Sequence, residues 1–189
     1  MPETRILGPC APRRVGRDAR EETEDLAFLG REFLSWLLWR VARNEAVFGG
    51  GADTFAFGFG GRVRWKGLVG DVTDAVLKGP SPACSAPALA AMGSGRTLCE
   101  ADLRVTRKDR EWRLTLLAET LDPRGVRLPA LLAEEDDDRF LERLSLLDEL
   151  EAMVKLAFTE FVRERTRPAW QRSVVPAMQT WLSEGLAAD

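Results

Sequence analysis

The densest group of chemically capable side chains is the acidic run Glu134 to Asp138, which holds five consecutive carboxylates. Carboxylate oxygens are the ligands that divalent cations such as Mg²⁺ prefer, so this run is a candidate metal site. It directly precedes a long helical pattern, however, and acids at that position cap free N–H groups and favour the helix dipole. No second carboxylate cluster in the sequence forms a partner for two-metal chemistry. We therefore expect helix capping here and no metal.

Residues for nucleophilic or acid–base catalysis are sparse. Histidine is absent, which removes the commonest general base and every triad that depends on imidazole. The serines Ser35, Ser94 and Ser145 have no nucleophile-elbow context, although a serine–lysine arrangement stays open. The three cysteines are Cys10, Cys84 and Cys99. They lie in no close pair and suggest neither a disulfide framework nor a zinc site. We predict no catalytic residue and no cofactor.

Basic side chains recur at alternate positions in the predicted strands. Because successive residues of a strand point to opposite faces, Arg62, Arg64 and Lys66 share one face while Val63 and Trp65 share the other. The same parity recurs in two later segments, and the predicted cationic positions are Arg62, Arg64, Lys66, Arg104, Lys108 and Arg113. Such a row, with threonine hydroxyls between, neutralises phosphates without reading bases. A plain solvated sheet face is the alternative.

Helical periodicity marks both ends of the chain. From Glu24 to Val41 the pattern is apolar nearly all round, which predicts a buried helix that ends at the glycines Gly49 to Gly51. A membrane-surface role is the alternative, but a lysine-rich polar face is missing. After the acidic run, a long amphipathic helix extends to Phe161, and Pro168 opens a last helix.

Strand patterns dominate the middle of the chain. Phe55, Phe57 and Phe59 alternate with small residues, which predicts a β-hairpin that turns at Gly60 and Gly61. No Lys-Ser or Lys-Thr follows the glycines, so they form no phosphate-binding loop. Further strands are predicted at 74–78, 98–107, 111–121 and 126–128, with a short helix at 88–92. This order predicts an α+β fold: a mostly antiparallel sheet of about five to six strands, packed by an N-terminal helix and a C-terminal helical pair.

Composition sets the domain organisation. With 189 residues, 45% hydrophobic and 30% charged, the chain has enough apolar material for one core, and we predict a single domain over 23–189. Residues 1–22, rich in proline and arginine, are predicted to be a disordered tail. We expect a cytoplasmic protein, because the apolar stretches are too short for a membrane span and the first residues lack a secretory signal.

The net charge of −3 conceals an uneven distribution of charge. Residues 1–60 carry a net charge of −1, residues 61–129 carry +4, and residues 130–189 carry −6. A basic middle beside an acidic C-terminal third matters more to the choice of partner than the total does.

Several segments together resemble the C-terminal half of recombination-associated proteins of the RdgC type. They are F-L-G-R-E-F-L-x-W-L, R-T-L-C-E-A-D-L-R-V, E-W-R-L-T-L, G-V-R-L-P and E-R-L-S-L-L-D-E-L. The likeness covers roughly Phe28 to Phe161 and rests on element order and hydrophobic pattern. It implies a non-enzymatic protein that binds double-stranded DNA without sequence preference, closes as a dimeric ring and restrains recombinase access.

The resemblance also implies a location and a mode of assembly. It makes the basic strand positions candidates for the DNA-facing surface, and implies a nucleoid-associated protein. Because it covers one half of that family's length, it implies a homodimer or a separate chain that resembles the missing N-terminal half. The apolar helix residues Phe33, Trp36 and Trp39 are then candidates for the interface.

Two other functions stay open at this stage. A protein-interaction subunit of a larger complex, without direct DNA contact, would use the acidic C-terminal helices as its working surface. A hydrolase or nuclease would need carboxylates that converge on a pocket. We expect DNA binding with no membrane partner.

Overall fold

Alternating apolar and polar residues build the central sheet, and the computed structural model confirms the predicted α+β fold. It describes residues 19–67 and 74–187, with side chains from Phe28 onward. The strands are β1 (Val47–Phe48), β2 (Phe55–Lys66), β3 (Asp74–Lys78), β4 (Thr97–Arg107), β5 (Arg110–Leu117) and β6 (Pro123–Arg127). Their order is β1-β2-β4-β5-β6, every pairing is antiparallel, and β3 also pairs with β2.

The long helices follow the apolar stripes at the two ends of the chain, and one short helix lies between β3 and β4. They are α1 (Ala19–Ala42), α2 (Ala86–Gly93), α3 (Asp136–Arg165) and α4 (Val175–Ala187), with a π-helical turn at Trp170–Val174. Helix α1 begins inside the segment predicted to be a disordered tail, and residues 1–18, with Cys10, lie outside the described residues. No helix in the described ranges combines the length and hydropathy needed to cross a membrane.

One hydrophobic core joins α1, α3 and a single face of the sheet. Phe33 and Trp36 of α1 are fully buried against Phe161 of α3, at ring-centroid distances of 5.6 and 5.5 Å. On the sheet, Trp112 is equally buried, and its indole N–H donates to the Leu146 carbonyl oxygen at 3.1 Å. Both long helices therefore cover the same sheet face, and the helices that the structure describes leave the other face uncovered.

Two local predictions were wrong. The predicted hairpin turn at Gly60 and Gly61 is instead an irregularity within the single long strand β2, where the register with β4 shifts between Phe59 and Val63. A Cβ at Gly60 would lie 2.9 Å from the Asp102 Cβ, so the glycine permits a close approach of two strands. Helix α1 ends at Ala42, before the glycines, because Asn44 takes the left-handed conformation with φ of 59°.

Helix α1 passes unusually close to the sheet at Gly30. A Cβ at this position would lie 1.8 Å from the Ala118 carbonyl oxygen, well inside van der Waals contact. The absence of a side chain therefore sets the distance between α1 and the end of β5.

We predict that Gly30→Ala destabilises the fold by about 1–3 kcal/mol, because the added methyl group forces α1 away from the sheet. Replacing an unconstrained helix glycine by alanine raises the free energy of unfolding by about 1 kcal/mol. A decrease for Gly30→Ala is therefore specific to the close contact. Urea unfolding measures the difference. Gly58→Ala is the control, because a Cβ there meets no atom within 4 Å. A Gly30→Ala protein as stable as the unsubstituted one would contradict the close packing.

Candidate functional site

The sheet face opposite the helices, here called the outer face, is rich in cations. Residues paired directly across antiparallel strands project to the same side, so the register identifies its members. The cations are Arg62, Arg64, Lys66, Lys78, Arg104, Arg113, Arg124 and Arg127. The acids on the same face are Asp74, Glu100, Asp102 and Glu111. Eight cations against four carboxylates give this face a positive balance, within the part of the chain that the structure describes.

Three arginines form a row across the last three strands. Arg104 on β4 is paired with Arg113 on β5, and Arg113 is paired with Arg127 on β6. Neighbouring strands lie about 4.8 Å apart, so the row spans about 10 Å between its outer Cα atoms. Like charges directly opposite each other are unfavourable, and the fold alone gives no reason for this arrangement.

Carboxylates offset part of the cationic charge. Glu111 lies 2.7 Å from the Arg113 Nε and 3.6 Å from the Arg104 Nε, so one acid serves two members of the row. At the other end of the face, Glu100 lies 2.8 Å from an Arg62 nitrogen and 3.8 Å from an Arg64 nitrogen. Arg64 also pairs with Asp74 at 3.1 Å, and this pairing raises the pKa of the Arg64 guanidinium. The end near β2 and β3 is therefore more fully neutralised than the arginine row.

A shallow depression of about 410 Å³ lies beside the row. Its lining includes Gly60, Gly61 and Gly125, which have no side chains to fill it. Thr115 donates from its hydroxyl to Asp102 Oδ1 at 2.8 Å within the same depression. The arginines stand around an open sheet surface that an extended polyanion can approach closely.

The structure brings most of the predicted DNA-facing residues together. Arg62, Arg64, Lys66, Arg104 and Arg113 all lie on the outer face. Lys108 does not, because it occupies the β4–β5 turn with a positive φ of 54°. The predicted strand end at residue 107 is confirmed, and the assignment of Lys108 to the cationic face was wrong because Lys108 lies beyond that end.

The apolar residues proposed for an interface lie inside this chain. Phe33 and Trp36 have no exposed surface, and Trp39 is 7% exposed. Their aromatic surface packs within this chain's own core and presents no free patch.

Sequence reasoning missed three outer-face cations, which are Lys78, Arg124 and Arg127. The alternation of side chains along the strands could have predicted two of them. Lys78 has the parity of Asp74 and Val76, and Arg127 alternates with Val126 and Leu128, which pack against the core. Arg124 was not predictable in this way, because the register of β6 shifts between its pairings with Arg113 and Thr115.

The acidic run begins α3, as predicted, with Asp136, Asp137 and Asp138 in the first turn, where they favour the helix dipole. The expected capping bond is absent, since the side chain of the N-cap residue Glu135 accepts no hydrogen bond from the N–H groups of the first helical turn. Instead, the Glu142 carboxylate accepts hydrogen bonds from the backbone N–H groups of Leu132 and Ala133 at 2.9–3.0 Å. These bonds lower the pKa of Glu142.

Chemistry elsewhere in the described ranges is limited. No group of three or more Cys, Asp or Glu side chains among the described residues is arranged to hold a metal ion. Partial burial raises the pKa of the Cys99 thiol, which makes it a poor nucleophile at neutral pH. The arginine-lined outer face is therefore the strongest candidate site.

Comparisons with known proteins add no assignment: no protein-family model matches the chain, and no curated protein or solved structure matches it significantly.

We predict that the segment 129–135 detaches from α3 in acid. A lowered carboxyl pKa means that this attachment is fully present above the ordinary value of 4.5 and is lost as the pH falls below it. The amide NMR shifts of Leu132 and Ala133, followed against pH, measure the transition. Glu142→Gln should weaken the attachment at neutral pH, whereas Glu151→Gln on the same helix should leave it intact. Shifts that do not respond to either pH or Glu142→Gln would contradict the bond.

Proposed function

We propose that this chain binds double-stranded DNA without sequence preference, through the outer face of its sheet, and performs no catalysis. The observation that carries the proposal is the cross-strand row of Arg104, Arg113 and Arg127, in which one carboxylate serves two guanidiniums. Guanidinium groups bind phosphate oxygens in a bidentate way, and phosphate contacts supply most of non-specific DNA affinity.

The character of the face favours duplex over single-stranded DNA. Proteins that hold single strands stack exposed bases on aromatic side chains. The strand residues described on the outer face include no aromatic side chain, because the aromatic residues of these strands, such as Trp65 and Trp112, are buried on the core side. A face of guanidinium groups, hydroxyls and bare glycine backbone suits the regular phosphates of a duplex.

The resemblance to RdgC-type proteins supports the same proposal and extends it. On that basis, the chain acts as a recombination accessory, as a homodimer or with a second chain, by occupying DNA that a recombinase would otherwise reach. An arginine row about 10 Å across makes few phosphate contacts by itself. Assembly of more than one copy would multiply those contacts.

We predict salt-sensitive binding that depends on the arginine row. About three phosphate contacts imply a fall in affinity of about 40-fold between about 50 and about 200 mM salt. Arg113→Glu combined with Arg127→Glu should lower affinity at low salt by about ten-fold or more, and should flatten the salt dependence. Fluorescence anisotropy with a labelled duplex of mixed sequence measures both quantities.

The matched control makes the same charge change in the helix layer, with Arg139→Glu combined with Arg143→Glu, two exposed positions on α3. No detectable binding at low salt, or an equal loss in the control, would overturn the proposal. Arg62→Glu should weaken binding less than Arg127→Glu, because Glu100 already pairs with Arg62.

We also predict that Glu111→Gln strengthens DNA binding by a few-fold. The change removes the carboxylate that neutralises Arg104 and Arg113 and leaves a side chain of the same size. Glu151→Gln on α3 removes the same charge from the helix layer and should have no effect. If Glu111→Gln leaves the affinity unchanged in the same titration, the row is not the DNA-binding surface.

A further inference from the structure

Helix α3 exposes an apolar strip that its own fold does not use. Phe140 is 60% exposed, and Leu144 and Leu147 are 44% and 40% exposed. These residues have the i, i+4, i+7 spacing of one helix face, so they form a continuous strip over two turns. Leu132, in the segment held against α3 by Glu142, is also exposed.

The strip leads into a groove between α3 and the edge of the sheet. This groove has a volume of about 520 Å³. Its apolar lining comes from both sides: Leu121, Pro123 and Val126 from the sheet edge, and Leu147, Leu150, Val154 and Phe158 from α3. From Phe140 to Phe158 the strip and groove extend about 27 Å along the helix axis, which is the length of about five helical turns.

Acidic side chains border this apolar surface. The rim of the groove carries Asp122, Asp148 and Glu151 against the single cation Lys155. Residues 134–155 as a whole contain nine acids and three bases. Three of the acids are engaged: Glu149 with Arg107 and Arg110, Glu142 with the backbone of Leu132 and Ala133, and Glu151 with Lys155. The remaining excess of negative charge faces solvent beside the apolar strip.

The adjacent strand edge argues against an extended occupant. Strand β6 begins with Pro123, which has no N–H to donate, and contains Gly125 with a φ of 57°. Its pairing with β5 is also irregular. Such features block the addition of another strand. A helix, which satisfies its own backbone hydrogen bonds, fits a groove of this kind.

We infer that this groove binds a basic amphipathic helix of a partner protein. The apolar side chains of the partner helix, at i, i+4 and i+7, enter the groove against Leu147 and Val154, and its lysines and arginines lie along the acidic rim. This surface lies between α3 and the β6 edge, on the core side of the sheet, and its role does not depend on whether the outer face binds DNA.

The test uses two fluorescent helical peptides of about five turns with the same apolar positions. One carries lysine and arginine at its flanking positions, and the other carries glutamate there. Anisotropy titrations with the full chain should show binding of the basic peptide, and Leu144→Ser combined with Leu147→Ser should weaken it at least ten-fold. Leu156→Ser is the matched control, because Leu156 is 39% exposed on α3 but does not line the groove.

A charge exchange keeps the test decisive if the serine variants are poorly folded. Asp148→Lys combined with Glu151→Lys should reverse the preference, so that the acidic peptide binds more tightly than the basic one. The inference is overturned if the basic peptide does not bind at about 100 μM, or if the charge exchange leaves the preference unchanged. It is also overturned if light scattering gives twice the mass of one chain and the serine changes abolish that dimer, since the occupant is then a second copy.

Discussion

The burial of α1 between the sheet and the C-terminal helices is the constraint on which the rest of this structure depends. The helix contacts β2 and β4 on one side and α3 and α4 on the other. The Trp36 indole N–H donates to Glu164 Oε2 at 2.8 Å, whereas the buried Trp39 indole N–H and Arg31 Nε have no hydrogen-bond partner among the described residues. Arg40 lies over the same indole ring, 5.1 Å from its centroid, and extends its charge toward the helix end. Because α1 packs in this way, one face of the sheet is buried in the core.

The burial of one sheet face restricts most charged residues of the strands to the other face. Strand residues alternate between faces, so every arginine that alternates with a core residue such as Val105 or Trp112 must project to the other side. The cations then stand close together and repel one another. Glu111 and Glu100 offset part of this repulsion by pairing with arginines on neighbouring positions. The outer face thus retains an excess of positive charge within a stable sheet.

Much of this arrangement was predictable from local pattern, and the remainder depends on register. Unbroken alternation correctly placed Arg62, Arg64 and Lys66 on one face. The arginine row was not predictable, because it requires knowing that Arg104 lies opposite Arg113 and that β6 shifts its pairing. Likewise, the sequence predicted a turn at Gly60, because it does not show that Asp102 approaches the backbone of Gly60. The pairing of Glu111 with two arginines is a three-dimensional fact of the same kind.

The basic outer face and the acids of α3 lie on opposite sides of the sheet, but the groove reaches the β6 edge, where Asp122 lies two residues before Arg124. Packed layers are separated by about 10 Å, so the acids of α3 lie farther from the outer face than the Debye length of about 8 Å at physiological ionic strength. Under those conditions the acids of α3 interfere little with the positive potential of the outer face, whereas Asp122 lies close enough to affect Arg124. At low salt the screening weakens, and the acidic helix layer then opposes the approach of a polyanion from its side. Orientation follows from this asymmetry: a polyanion is drawn to the sheet, and a basic segment is drawn to α3.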